Sequence, residues 1–190
     1  MRRYSIDIAA LSETRFHGET QIEEVGAGYT FFLIGHPADG LTQAGVGFAV
    51  RSTLLQRIHD RPVGHSPRLM TLTLELEGGH MATLISAYAP TAVASDDTKD
   101  EFYAQLNDII SRTPYRHKLI LLGDFNARVG TNHVAWKKVL GRYGVGNENS
   151  NGSRLLQLCS VHELSITNTF SSHSVAGPVQ TLASLRLYYC

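Results

Sequence analysis

Short apolar runs rich in β-branched and aromatic residues recur along the chain and predict a series of β-strands. A Glu-Gly-Gly-His turn separates two of these runs, so residues 69–76 and 81–88 are expected to pair antiparallel as a hairpin. In the first of these runs, leucines alternate with threonine and glutamate, which predicts one buried face. The full set of predicted strands covers residues 6–11, 29–34, 46–50, 69–76, 81–88, 119–122 and 164–167.

Two segments show helical spacing instead. Apolar residues recur every three or four positions after Asp97 and Thr98, which offer N-caps, and Thr98 with Glu101 fits a capping box. Pro114 should end this helix, and a second helix is expected over residues 153–161, after a loop rich in glycine and asparagine. Helices placed between strands, with at least one hairpin, indicate an α/β layered domain rather than a helical bundle.

Composition adds bounds on size and charge. The chain has 190 residues, 43% of them hydrophobic and 18% charged, which is enough for a sizeable core. We expect one domain over residues 1–170 and a divergent tail, residues 171–190, without clear structure. The formal net charge is zero and the sequence pI is about 7.1, so the chain as a whole carries no excess positive charge that would attract nucleic acid. A local basic patch is compatible with this composition.

The two cysteines and the first residues say little about location. Cys159 lies in an apolar pattern and is expected in the core, and Cys190 completes neither a metal spacing nor a disulfide framework, which fits a reducing compartment. Residues 6–11 are too short and too interrupted for a signal peptide or a membrane span. No targeting signal is visible, and we expect an intracellular protein, in nucleus or cytoplasm, without a membrane partner.

The strongest chemical signal is a buried strand that runs directly into Gly-Asp-Phe-Asn, residues 123–126. Side chains two positions apart in an extended segment project to the same side, so Asp124 and Asn126 can converge on one point. A carboxylate there can hold a metal or accept a proton from water, and an amide can orient that water or a phosphate oxygen. The alternative is an Asx turn in which both side chains cap the local backbone.

Two further strand ends carry candidate residues. Glu13 follows the first predicted strand, where the alternative is an ordinary solvated loop residue. Tyr88 closes the strand before Ala89 and Pro90, where a tyrosine can be purely structural. Their joint occurrence with the Gly-Asp-Phe-Asn segment changes the picture, because all three strand ends could converge on one rim of a sheet structure.

The segments Ser-Glu-Thr, Tyr-Ala-Pro and Gly-Asp-Phe-Asn resemble the endonuclease/exonuclease/phosphatase superfamily, in the branch of retrotransposon-type endonucleases and the related craniofacial development protein 2 family. Intervening phrases also match that branch. They are Ile-Asp-Ile-Ala-Ala-Leu-Ser-Glu-Thr-Arg at residues 6–15, Ala-Gly-Val-Gly-Phe-Ala-Val at 44–50, Asn-Gly-Ser-Arg-Leu-Leu-Gln-Leu-Cys at 151–159 and Ile-Thr-Asn-Thr at 166–169. The resemblance covers about residues 4–170 and is specific.

This resemblance implies both a fold and a chemistry. The fold is a sandwich of two mixed β-sheets flanked by helices, with the site at the strand ends on one rim. The chemistry is hydrolysis of a phosphodiester in nucleic acid, with DNA as the expected partner and Mg²⁺ or Mn²⁺ as cofactor. By analogy, Glu13 ligates the metal, Asp124 activates or positions the attacking water, Asn126 orients the phosphate or water, and Tyr88 contacts the phosphate.

Three family features have no counterpart in the sequence. The family usually begins with a strand that carries a metal-site Asn, and near its end it has an Asp that orients a catalytic His and a final Asp-His pair. His173 lacks the preceding Asp, so no catalytic role is assigned to it. We therefore expect a domain truncated at both ends, with impaired activity. The alternatives are an inactive remnant or domesticated interaction module of the same fold, and a phosphatase for phospholipid or inositol head groups.

Overall fold

The structure is a computed structural model that describes residues 6–24, 26, 28–36, 44–171 and 180–183. Its regular elements fall into two units, Met1–Tyr88 and Ala89–Cys190. The strands are β1 (Ile8–Ser12), β2 (Glu19–Glu24), β3 (Tyr29–Ile34), β4 (Val46–Arg51), β5 (Ile58–Ser66), β6 (Leu69–Glu75), β7 (Met81–Tyr88), β8 (Lys118–Asp124) and β9 (Gln180–Ala183), and the helices are α1 (Asp96–Arg112) and α2 (Ser150–Val161).

The unit Met1–Tyr88 consists of two antiparallel sheets packed face to face. One sheet has the strand order β1-β4-β3-β2, and the other contains β5, β6 and β7 side by side. Strands β1 and β4 lie against β7, and β3 lies against β5. Alternate side chains of each strand point between the sheets, so large apolar residues fill this space. Fully buried examples are Tyr29, Phe48, Leu69, Leu72 and Ile85.

The hairpin between β6 and β7 is confirmed. Leu69 pairs with Ala87 and Glu75 pairs with Met81 in a continuous antiparallel register. Gly78 and Gly79 both have positive φ in the connecting turn, a conformation that glycine adopts without the steric cost that a side chain adds.

The unit Ala89–Cys190 carries both α-helices and an antiparallel pair formed by β8 and β9. The helices α1 and α2 pack together, and the Tyr103 hydroxyl donates to the backbone oxygen of Asn151 at 3.0 Å. Cys159 is 1% exposed, which confirms its predicted place in the core. Among the described residues, no helix is both long and apolar enough to cross a membrane.

Two strands escaped the sequence prediction for a common reason. Most of β2 is exposed and polar, and β5 contains a proline, a glycine and several register shifts. Each is the terminal strand of its sheet within this unit, where one face and one edge need no apolar cover. The apolar alternation that identifies a half-buried strand is therefore weak in both.

Three sequence expectations are corrected. The segment 164–167 is no strand: Leu164 and Ile166 are buried, but the chain there forms a short 3-10 turn at Thr167–Thr169. The N-cap of α1 is Ser95, whose Oγ accepts from Thr98 N at 3.2 Å, so the helix starts before the predicted capping box. Strand β9 falls in the tail where no element was expected, and it pairs with β8 through backbone bonds that side-chain patterns do not reveal.

Candidate functional site

The Gly-Asp-Phe-Asn segment forms a tight turn at the end of β8. Phe125 is fully buried, and Asp124 and Asn126 flank it on the half-exposed side. Asn126 has a φ of 47°, in the left-handed region that asparagine tolerates better than most residues. The turn therefore places a carboxylate and an amide on the same half-exposed side, and their convergence on one point stays a prediction.

Both side chains of this turn also bond to nearby backbone. The Asn126 backbone N–H donates to Asp124 Oδ1 at 2.9 Å, which is an Asx turn, and Asn126 Nδ2 donates to the Ala89 oxygen at 2.9 Å. The Asx turn that was considered as the alternative role of these residues is thus present. It occupies one polar atom of each side chain, and no hydrogen bond from the described residues reaches Asp124 Oδ2 or Asn126 Oδ1.

Helix α2 begins directly against this turn. Its N-cap, Asn149, donates through Nδ2 to the Asn126 oxygen at 3.0 Å, and Asn151 donates to the Pro90 oxygen at 2.8 Å. The sequence pattern identified neither residue, because both fall in the stretch that was expected to be the loop before the helix. An asparagine just before a helical pattern is a usual N-cap signal, and it could have identified Asn149.

In the unit Met1–Tyr88, the structure brings Glu13 and Tyr88 together. Glu13 follows β1 and has a φ of 55°, a conformation uncommon for a residue other than glycine. Tyr88 ends β7 and is 5% exposed, and its hydroxyl donates to Glu13 Oε1 at 2.8 Å. The Glu13 side chain belongs to an exposed residue, so solvent and ligands can reach its carboxylate.

Arg68 contacts the same tyrosine and was not identified from the sequence. Its Nη1 donates to the Tyr88 oxygen at 3.2 Å, and its guanidinium carbon lies 5.1 Å from the centre of the Tyr88 ring. Partial burial lowers the pKa of Arg68, and the neighbouring Tyr88 opposes that shift. Nothing in the sequence around Arg68 distinguishes it, because its role comes from the register of β6 and β7.

The four predicted site residues fall into two pairs. Glu13 and Tyr88 belong to the unit Met1–Tyr88, and Asp124 and Asn126 belong to the unit Ala89–Cys190. Within each unit a hydrogen bond joins the two residues, and the predicted meeting of all four on one rim stays a prediction. His173 lies outside the described residues.

The residues present fit a divalent metal in the type of donor they offer. Mg²⁺ and Mn²⁺ prefer oxygen ligands, and Glu13 offers an exposed carboxylate with one oxygen held by Tyr88. In the described part of the chain, no group of three or more His, Cys, Asp or Glu side chains lies close enough together to hold a metal ion. Glu13 is thus a candidate ligand, and the complete ligand set stays a prediction.

The profile of the Endonuclease/Exonuclease/phosphatase family matches residues 1–154. The chain belongs to this family. Two curated relatives, the craniofacial development protein 2 of Bos taurus and that of Tragulus javanicus, are each 28% identical to it over 172 residues. The match covers 89% of this chain but 27% and 28% of the two relatives, so the chain spans less than a third of their length.

A solved structure with a similar architecture confirms the expected fold. An AP endonuclease from Leishmania major superimposes with a TM-score of 0.55, covering 85% of this chain and 59% of the other, at 17% sequence identity. At this identity the likeness establishes the α/β layered, two-sheet fold of the family and nothing about substrate.

Proposed function

We propose that this protein is a metal-dependent nuclease of retroelement descent that hydrolyses phosphodiester bonds, with DNA as its substrate. The observation that carries this proposal is the hydrogen bond between Tyr88 and Glu13, at 2.8 Å. These residues are 75 positions apart in the sequence, and each lies in a different one of the motifs that resemble the family. If Glu13 were an ordinary solvated loop residue and Tyr88 a purely structural one, a hydrogen bond between them would not be expected.

In this proposal, Glu13 holds the cation through its exposed carboxylate. A bound Mg²⁺ or Mn²⁺ supplies polarisation of the phosphoryl oxygen and offsets the charge of the leaving group. Tyr88 has a single hydroxyl proton, which it donates to Glu13 in the free protein. To donate to a substrate phosphate, that proton must turn away from Glu13, so Tyr88 fixes the carboxylate first and contacts the phosphate afterwards.

Asp124 and Asn126 supply the groups that act on water. The Asx turn occupies Asp124 Oδ1, so Oδ2 is the oxygen that would accept a proton from the attacking water. The Asn126 Nδ2 is held on Ala89, so its Oδ1 is turned to accept a hydrogen bond from that water. The same Asx turn that could make these residues merely structural also fixes their orientation.

The test is nicking of supercoiled plasmid by the 190-residue chain with Mg²⁺, with EDTA as the metal-free control. Two variants keep the shape of the side chains and one acceptor oxygen in each but remove charge: Glu13→Gln and Asp124→Asn. Each should lose roughly a hundredfold or more in nicking rate, because an amide neither binds a hard cation well nor accepts a proton. Asp108→Asn, at an exposed ion pair on α1, is the matched control and should nick normally.

Three results would count against this function. A folded chain that does not nick plasmid with either metal would favour the inactive member of the same fold, retained as an interaction module. Release of phosphate from inositol phosphates, without nicking, would favour the phosphatase alternative. Nicking that survives in both charge-removing variants would point to a contaminating nuclease.

A further inference from the structure

Asn149 uses its side chain in two directions. Its Oδ1 accepts from Gly152 N at 2.8 Å, which caps helix α2, and from Arg128 N at 3.0 Å. Its Nδ2 donates to the Asn126 oxygen at 3.0 Å. The two backbone N–H groups can only donate, so they fix which side of the amide is oxygen and direct the NH₂ group toward Asn126.

Both backbone polar groups of Asn126 are therefore hydrogen-bonded. Its N–H is bound by Asp124 Oδ1 and its oxygen by Asn149, around a backbone in the left-handed conformation. A left-handed residue other than glycine is disfavoured by local sterics and persists where its surroundings enforce it. Asn151 reaches the same oxygen only at 3.4 Å and makes its shorter bond to Pro90, so Asn149 is the main support.

Close packing couples this support to the helix. An added Cβ at Gly152 would lie 1.9 Å from the Arg128 oxygen, so the first turn of α2 touches the chain that leaves the Asp124–Asn126 turn. Asn149 N also donates to the Arg128 oxygen at 3.0 Å. The start of α2 and the turn thus form one hydrogen-bonded body within the unit Ala89–Cys190.

We propose that Asn149 is a positioning residue for Asn126. It fixes the Asn126 backbone, and thereby the direction in which the Asn126 side-chain amide and the Asp124 carboxylate face a substrate. The inference rests on the proposed nuclease function, since positioning matters only if this turn acts on a substrate. Asn149 itself has no contact with the reacting atoms.

The decisive variant is Asn149→Asp. Aspartate is as good an N-cap as asparagine, so the bonds from Gly152 and Arg128 are kept. The donor to the Asn126 oxygen is lost, and a carboxylate oxygen now faces that carbonyl. We expect kcat for nicking to fall roughly ten- to a hundredfold with KM changed by less than about threefold, because a small misplacement of a catalytic group affects the reaction more than binding.

Two further variants separate positioning from charge and from stability. Asn149→Ser keeps a capping oxygen, adds no charge and also lacks the donor, so its kcat should fall to a similar extent. Asn132→Asp makes the same chemical change at another capping asparagine, whose Oδ1 accepts from Ala135 N at 3.2 Å. Asn132 has no bond to Asn126, so this control should nick like the unchanged protein.

Amide hydrogen exchange supplies a readout that does not depend on activity. In Asn149→Asp, exchange of the Asn126 N–H should accelerate about tenfold or more, while the Tyr88 N–H, bonded to Arg68, should be unchanged. If the unchanged protein does not nick, the nuclease function fails and exchange alone decides whether Asn149 holds the turn. Unchanged exchange and kcat, or exchange that accelerates throughout the chain in both Asn149 variants, would overturn the positioning role.

Discussion

Among the described residues of the unit Met1–Tyr88, the Tyr88 hydroxyl donates the hydrogen bond that orients Glu13, an exposed residue. In the unit Ala89–Cys190, the turn of Asp124 and Asn126 is bound by backbone and by the amide of Asn149, and it rests on the buried Phe125. The first pair is joined by a hydrogen bond between two side chains. The other is an integral part of the local backbone.

The difference suits the separate tasks that the proposed function assigns to them. A metal ligand and a phosphate contact must exchange partners when a cation and a substrate arrive, and an exposed carboxylate does this at little cost. Groups that orient and deprotonate water gain most from being fixed before the reaction. Changes around the Asp124–Asn126 turn and helix α2 should therefore affect stability strongly, and changes at Glu13 and Tyr88 should affect it weakly.

Gly152→Ala should give the largest effect on stability. Alanine favours a helix by about 1 kcal/mol over glycine, but its Cβ would meet the backbone oxygen of Arg128, which cannot move without opening the turn. We expect a net loss of about 2 kcal/mol in the free energy of unfolding, typical of an overpacked site, measured by urea denaturation. Ser160→Ala, on the exposed side of α2, is the control and should change stability by less than about 0.5 kcal/mol. A stable Gly152→Ala protein would show that the contact with Arg128 yields easily.

Alkaline pH should lower the free energy of unfolding through Cys159, which is buried in helix α2. Burial raises the pKa of the Cys159 thiol to about 12, from an ordinary value of 9.0. Above pH 9.0 the unfolded chain loses this proton and the folded chain keeps it, so the stabilisation is complete below pH 9.0 and declines as pH rises toward about 12. The decline should approach about 1.4 kcal/mol per pH unit.

The measurement is the difference in urea stability between about pH 8 and about pH 10, compared with Cys159→Ala, which lacks the titrating group. The unchanged protein should lose about 1 kcal/mol more than the variant over this range. Burial also raises the pKa of Tyr103, and Cys159 adds to that shift, so the comparison cancels only the part of the Tyr103 contribution that comes from burial. Equal losses in the two proteins would show that the Cys159 thiol is not protected in the folded chain.

Much of the fold was predictable because its signals are local. Strands β3 and β7 have the predicted bounds, since their apolar runs lie between the sheets. The terminal strands β2 and β5 were missed because their residues need no apolar pattern, and β9 was missed because its partner strand defines it. The buried residues Leu164 and Ile166 produced a false strand, since burial alone resembles a short buried strand.

The candidate site residues divide in the same way, because some of them have a local signal in the sequence and others do not. Asp124 and Asn126 were identifiable from a buried strand that ends in polar residues, and Glu13 and Tyr88 from their place in family motifs. The supporting residues Arg68 and Asn149 were not, because an arginine stacked on a tyrosine and an amide aimed at a distant carbonyl are consequences of tertiary structure. Local sequence indicates which residues can react, and the packed chain determines which residues hold them.

The smallest expected effect is that of Tyr88→Phe, and it tests the comparison directly. Loss of the hydroxyl leaves Glu13 Oε1 without its bond, but Glu13 is exposed and water can replace the donor. We expect the free energy of unfolding to fall by about 0.5 kcal/mol, measured by urea denaturation.

Tyr103→Phe makes the same chemical change in the other unit and serves as the matched variant. The Tyr103 hydroxyl donates to the oxygen of Asn151, a residue with no exposed surface, so water cannot replace the lost donor without opening the contact between α1 and α2. Its cost should be about 1 to 2 kcal/mol, clearly above that of Tyr88→Phe. Equal costs would mean that Glu13 is held as firmly as the turn at Asn126. The proposed difference between an easily exchanged pair, Glu13 and Tyr88, and a fixed turn would then be wrong.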